Sequence, residues 1–278
     1  MKKIPNSNFI YFPDKILGKG SFSNVHLGVN LLNKKKVAVK IENKEIGTNT
    51  IFVEYVFYSE IVKNKNYSKF FIPKFYGYFT DEKKNYLVIE LLEYTLSGIM
   101  KKINHNFDDY SVKNIFFKMI KSLEFIHSYG FLHRDIKPEN ILLDRRLKKI
   151  YLIDFGLSKK YVNSDNHISI KLNVNPCGTI RFMSKYANNL VESSRRDDLI
   201  SLGYSMIFIL KGSLPWQNLN IQNKKEKYKK IGELKNSITI KELCSDCPNY
   251  FTDFFNHCYN LKFKEKPDYN FLLSLFYK

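Results

Sequence analysis

The apolar positions of this chain follow two different periods. Up to about residue 92 they come in short alternating runs, the signature of half-buried strands, with one helical interruption. In the run Val-Ala-Val-Lys-Ile at residues 37–41, Ala38 and Lys40 share one face and Val37, Val39 and Ile41 share the other. The interruption is residues 50–61, where Glu54 falls on the same helical stripe as Phe57, Tyr58 and Ile61. From about residue 111 the spacing lengthens. Val112, Ile115, Phe116, Met119, Ile120, Leu123 and Ile126 recur at three-to-four intervals, and Gly130 ends the run as a helix C′ residue would. Residues 198–210 are apolar nearly all round but too short to cross a bilayer, which predicts a buried helix with Asp198 at its start, favourable to the helix dipole. These periods predict an α+β fold: a small β-rich lobe with one main helix over residues 1–92, then a larger, mostly helical lobe over residues 93–278.

Composition adds limits. A chain of 278 residues that is 44% hydrophobic, with 23 Phe and 19 Tyr, can bury a large core, and disordered and fibrous classes are excluded. Pro5, Asn6, Asn8 and Asp14 break any apolar run at the start, so neither a signal peptide nor a membrane span is expected, and the expected location is cytoplasm or nucleus. Four cysteines are too few for a disulfide framework. Cys244 and Cys247 have no matching second pair, which weighs against zinc. The formal charge of +18 attracts phosphate, nucleic acid or acidic peptides, but a lysine enrichment spread over the whole chain accounts for it equally well.

Candidate chemistry concentrates in four places. His-Arg-Asp-Ile-Lys-Pro-Glu-Asn, residues 133–140, sets an acid, a lysine and an amide within six positions. A hydroxyl nucleophile needs a carboxylate to orient it and accept its proton, a cation to offset charge on a transferred phosphoryl group, and an oxygen ligand for Mg²⁺. Asp135, Lys137 and Asn140 offer these three. In the run at residues 150–156, Asp154 ends an apolar strand and is followed by Phe-Gly. By itself that tripeptide is as good a β-turn, but beside Asn140 it reads as a second metal ligand.

The third place is Gly18, Lys19, Gly20, Ser21, Phe22, Ser23, Asn24 and Val25, a loop between two strand-like runs whose glycines would let backbone N–H groups approach phosphate. A lone Gly-x-Gly is more often a plain hairpin. The fourth is Lys40, an inward lysine in need of an anion, for which Glu54 is the expected partner and Glu60 the competing one.

Those four motifs, in this order and spacing, resemble the protein kinase superfamily from about Lys15 to the C-terminus, within one kinase domain expected over about residues 11–278. Gly178 to Phe182, Ser194 to Leu199, Leu202 to Tyr204, Gly212 to Gln217, Tyr228 to Glu233 and Lys266 to Tyr269 are similar to the casein kinase 1 family, with the vaccinia-related kinase branch as runner-up. The resemblance implies a bilobal fold, ATP and Mg²⁺ as cofactors, and transfer of the γ-phosphoryl group to protein serine or threonine. Asp135 would be the catalytic base and Lys137 the phosphate-contacting lysine. Asn140 and Asp154 would bind metal, and Lys40 with Glu54 would position the α- and β-phosphates. Ile89, Glu90, Leu92, Leu17, Val25, Ala38, Leu142 and Ile153 would surround adenine.

The resemblance also implies acidic or already phosphorylated protein substrates, read by Arg181, Lys227 and more loosely Arg134 and Lys159, although Lys227 alone reads as a solvated lysine. The chain departs from the family at Ser23, at Glu93 and Tyr94, and at residues 173–177, which displace Lys171. Ser164 and Ser169 offer no clear switch site, so constitutive activity of a monomer is expected. An inactive nucleotide-binding scaffold would keep the fold without turnover. A nucleic-acid binder needs no Asp135 and lacks an aromatic-basic motif here, so nucleic acid is not expected as a partner.

Overall fold

The computed structural model of the protein describes residues 1–104, 107–163 and 166–277, and Ser164 lies outside them. Two compact units emerge: residues 1–94 with 142–158, and residues 95–141 with 159–278. The expected α+β class is what the chain adopts, one unit built on a curled sheet and the other helical, although residues 142–158 group with the first unit rather than the second.

In the first unit, β1 (Lys2–Lys3), β2 (Phe9–Lys19), β3 (Ser23–Asn30), β4 (Lys36–Asn43), β5 (Phe75–Thr80) and β6 (Lys84–Glu90) form an antiparallel sheet of order β1-β2-β3-β4-β6-β5. Val37, Val39 and Ile41 join Ile4, Phe9, Tyr11, Tyr86 and Val88 in an apolar cluster on one face. The other face carries Ala38 and Lys40 and meets α1 (Thr50–Ile61), the helix predicted from the Glu54 stripe. Its Phe57 stacks on Phe155 with ring centroids 3.8 Å apart, and Tyr58 stacks on Phe75 at 5.1 Å. Leu152 N–H donates to Phe71 O at 2.9 Å, which ties the 142–158 segment to this unit.

The start of α1 is held by a residue outside the helix. Asn49 precedes it at φ +51° without a capping side chain. Glu42, on β4, instead accepts from Thr50 N (2.9 Å), Thr50 Oγ1 (2.7 Å) and Thr48 Oγ1 (2.7 Å), placing a carboxylate where the first-turn amides need an acceptor. Burial pushes the Glu42 pKa up, but the hydrogen bonds from Thr50, Thr48 and Ile51 outweigh it and hold it below the usual value. A lowered folded-state pKa contributes stability above the unfolded value of about 4.3 and loses it as pH falls through the folded one. Glu42→Gln is expected to cost about 1 kcal/mol at neutral pH by urea denaturation, as loss of a cap does, and the difference from wild type should shrink toward acid pH.

In the second unit, α2 (Leu96–Lys102), α3 (Asp109–Ser128), α4 (Lys185–Asn188), α5 (Arg195–Lys211), α6 (Lys224–Ser237), α7 (Ile240–Leu243), α8 (Asn249–Asn260) and α9 (Tyr269–Ser274) surround a core in which α3 and α8 each pack on α5. Gly130 follows α3 at φ +77°, the left-handed geometry expected of it. α5 is buried along most of its length, as predicted, but starts three residues earlier than the sequence reading placed it. Ser194 and Asp197 form a capping box that sets the start, and Asp198 stays in the first turn, as expected of it, but is buried. No helix among the described residues is long and apolar enough to cross a membrane.

Candidate active site

Each unit assembles its own set of polar groups. In the first, Lys40 Nζ donates to Glu54 Oε2 at 2.7 Å and to Asp154 Oδ1 at 2.6 Å. Glu54 is 1% exposed, whereas Glu60 pairs at 2.7 Å with Lys63, so the competing Lys40–Glu60 pairing is not the one formed. Burial would lower the Lys40 pKa, but the charges of Asp154 and then Glu54 override it and raise the pKa above its usual value. Glu54 is raised too, by burial first and by Asp154, against the opposing pull of Lys40. The ammonium is thus locked in its charged form between two carboxylates.

Strand register places further predicted residues on the Lys40 face. Val25 lies opposite Lys40, and Ala38 lies opposite Ile89. Gly18, Lys19 and Asn24 belong to the β2–β3 hairpin, with Gly18 opposite Val25 and Lys19 opposite Asn24. Its tip is Gly20, Ser21, Phe22 and Ser23, closed by Gly20 N–H donating to Ser23 O at 2.8 Å. Leu17 stays 50% exposed on this hairpin. Leu142 and Ile153 are half-buried and Leu92 is buried. Glu90 accepts from Lys74 N–H at 3.2 Å, and Glu93, at the departure from the family pattern, donates its N–H to Leu143 O at 3.2 Å.

In the second unit, Asp135 lies at the centre of a hydrogen-bonded cluster. Its Oδ1 accepts from Thr179 N–H at 2.9 Å and Thr179 Oγ1 at 2.8 Å, and its Oδ2 accepts from Lys137 Nζ at 2.5 Å. Lys137 also donates to Thr179 Oγ1 at 2.9 Å, and Asn140 Nδ2 donates to Asp135 O at 2.9 Å. The backbone beneath is fixed by Asp198, which accepts from His133 N–H at 2.7 Å and Arg134 N–H at 2.8 Å and meets His127 Nε2 at 3.0 Å. Gly178 must be glycine: it sits at φ +97°, and an added Cβ would lie 2.3 Å from Arg134 O.

Each unit holds an oxygen donor of the kind that a hard divalent cation takes. Asp154 presents a carboxylate that is 41% exposed, held at φ +67° on a residue type that tolerates that conformation. Asn140 commits its amide N–H to Asp135, leaving its carbonyl oxygen as the available ligand atom. Oxygen donors of this kind suit Mg²⁺ rather than a soft metal.

The four predicted phosphate-reading residues fall into separate groups. Arg134 and Lys159 line one cavity of about 380 Å³ together with Lys171. Lys159 pairs there with Glu192 at 2.7 Å, so part of its charge is already compensated. Arg181 and Lys227 do not line that cavity. The Arg181 guanidinium lies 5.4 Å from the Phe208 ring centre, and Lys227 is exposed on α6. Ser169 is exposed.

Thr179, Asp198 and Glu192 were not singled out for these roles by sequence reasoning. For Thr179 and Asp198 a signal was present, since each sits within a segment that resembles the casein kinase 1 family; for Glu192 there was none. Beside this geometry stands one comparison: a family model for the protein kinase domain matches residues 11–274. With nearly its whole length inside that match, the chain belongs to the protein kinase family.

Proposed function

We propose that this chain is a casein kinase 1-like serine/threonine kinase that uses Mg²⁺-ATP and favours acidic or phosphorylated substrates. The observation that carries the reading is the Asp135 carboxylate, oriented by Thr179 and bonded to Lys137 Nζ at 2.5 Å. A carboxylate held in this way receives the proton of an attacking hydroxyl, and the adjacent ammonium offsets charge on the phosphoryl group. Lys40, kept charged by Glu54 and Asp154, binds the α- and β-phosphates, while the β2–β3 hairpin covers the triphosphate with backbone N–H groups. Bound Mg²⁺ would neutralise phosphate charge, with Asp154 and Asn140 each supplying an oxygen ligand.

Serine/threonine preference is supported by Lys137, which stands two residues after Asp135 as in serine/threonine enzymes of the superfamily. Preference for acidic or phosphorylated substrates is supported by the +18 charge and by the cavity that Arg134, Lys159 and Lys171 line. The test is label transfer from [γ-³²P]ATP to casein and to a matched pair of peptides with and without an upstream phosphoserine, followed by phosphoamino-acid analysis. Phosphoserine or phosphothreonine as the product, with kcat/KM higher for the primed peptide, is expected. Phosphotyrosine alone, or no transfer, overturns the proposal.

A further inference from the structure

The Lys-rich helix α6 contains one lysine unlike its neighbours. Lys235 is 1% exposed, and no carboxylate lies within ion-pair distance of it among the described residues. All its recorded acceptors are neutral. Nζ donates to Ile180 O at 2.6 Å, Met183 O at 2.7 Å and Asn188 Oδ1 at 3.3 Å, with the ring centres of Trp216 and Tyr204 at 5.2 Å and 5.7 Å. Burying an ammonium without a counter-charge is costly, and burial pushes its pKa down to about 7. A methionine or leucine would fill the space without that cost. What the ammonium supplies is three donors at one point, two of them to one turn of backbone and the third to the Asn188 side chain.

That turn is the one that orients Asp135. Thr179 O accepts from Phe182 N–H and Met183 N–H, both at 2.9 Å. Trp216 Nε1 donates to Arg181 O at 2.8 Å, and Lys235 takes the carbonyls of Ile180 and Met183. Every carbonyl from Thr179 to Arg181, and that of Met183, therefore has a donor, two of them from one buried ammonium. At the head of the turn Thr179 places its N–H and Oγ1 on Asp135 and receives Lys137 Nζ.

We propose that Lys235 is a positioning residue for phosphoryl transfer: it clamps the Thr179–Met183 turn and through Thr179 sets the direction of the Asp135 carboxylate. The proposal rests on the reading of Asp135 as the proton acceptor. It belongs to the acceptor side of the reaction alone, because Lys235 lies in the helical unit and the Lys40 cluster in the other. Small displacements of a reacting group are expensive, about a hundredfold for 1 Å. Lys235→Met keeps the volume and removes the donors. Trp216→Phe keeps a ring and removes one donor to the same turn. Lys235→Gln returns an amide NH₂.

The experiment measures kcat for a peptide substrate, the KM for ATP, the stoichiometry and Kd of a fluorescent ATP analogue, and deuterium uptake over residues 178–183. For Lys235→Met the expected result is a fall in kcat of about ten- to a hundredfold with one nucleotide bound per chain, an unchanged ATP KM, and faster uptake over the turn. Lys235→Gln is expected to lie between Lys235→Met and wild type, and Trp216→Phe to show the same pattern with a smaller fall. A Lys235→Met kcat within twofold of wild type overturns the proposal. So does a kcat that falls only in proportion to nucleotide-binding stoichiometry, the mark of a merely structural role. Should Lys235→Met not fold, unchanged kcat and uptake in Trp216→Phe overturn it. A wild-type protein that transfers nothing to any peptide defeats the reading of Asp135. Unchanged uptake over the turn in Lys235→Met defeats the clamp itself, whatever the wild-type activity.

Discussion

Asp135→Asn is expected to lower kcat for peptide phosphorylation about a thousandfold while leaving ATP affinity within a factor of two. The substitution is close to isosteric, and Oδ1 can still accept from Thr179 N–H and Oγ1, so the turn that orients the side chain has no reason to move. What disappears is the negative charge and the capacity to take a proton. Lys137 Nζ, now 2.5 Å from Oδ2, would face an amide donor and lose its counter-ion, which adds to the loss on the acceptor side. On the proposed reading the nucleotide is held through Lys40 and the β2–β3 hairpin, both in the other unit, which is why binding and turnover should separate. A kcat within tenfold of wild type, with the variant folded and binding ATP, would show that proton transfer does not pass through this carboxylate.

How much of this was legible beforehand depends on the range of the interaction. Helix 50–61 appears in the structure with its predicted bounds because one apolar stripe with one carboxylate leaves little choice of period. Lys40 and Glu54 could be paired by reasoning about inward charges, since each broke an apolar pattern and each therefore needed the other. Contacts with no local pattern could not be read. Thr179 reaches Asp135 across 44 positions, and nothing in either segment announces the other. Asp198 lies in the first turn of its helix, where the dipole reading put it. Its bonds to the backbone of His133 and Arg134, more than 60 positions away, had no local pattern to announce them.

Lys235 was a missed opportunity of a different kind. It follows Ile231 by four positions, and Ile231, Gly232 and Lys235 are the buried residues of α6. The argument that identified Glu54, a charge on an apolar stripe demands a partner, applied equally to Lys235. It was obscured by the many solvated lysines around it, whose presence made one more lysine uninformative.

Lys40→Met should lower phosphoryl transfer about a hundred- to a thousandfold, as removal of a charge-stabilising donor from a phosphate site does. It also removes the cation that pairs with both Glu54 and Asp154. Leaving a buried carboxylate without its partner commonly costs about 3–5 kcal/mol, but the group can escape that cost by taking up a proton. Glu54 is disposed to do so, because burial and Asp154 already raise its pKa with Lys40 present. Without Lys40 the pKa rises further, and the folded state binds a proton that the unfolded chain, with a glutamate pKa of about 4.3, does not. Stability must then fall as pH increases above that value until Glu54 ionises in the folded state. The thermal midpoint of Lys40→Met is therefore expected to drop between about pH 5 and pH 8, more steeply than that of wild type. Adding Glu54→Gln to Lys40→Met should raise the midpoint at the upper end of this range and flatten the profile, without restoring transfer. A Lys40→Met profile parallel to wild type, or a double variant less stable than the single one at pH 8, would mean that Lys40 is not what holds the Glu54 carboxylate charged.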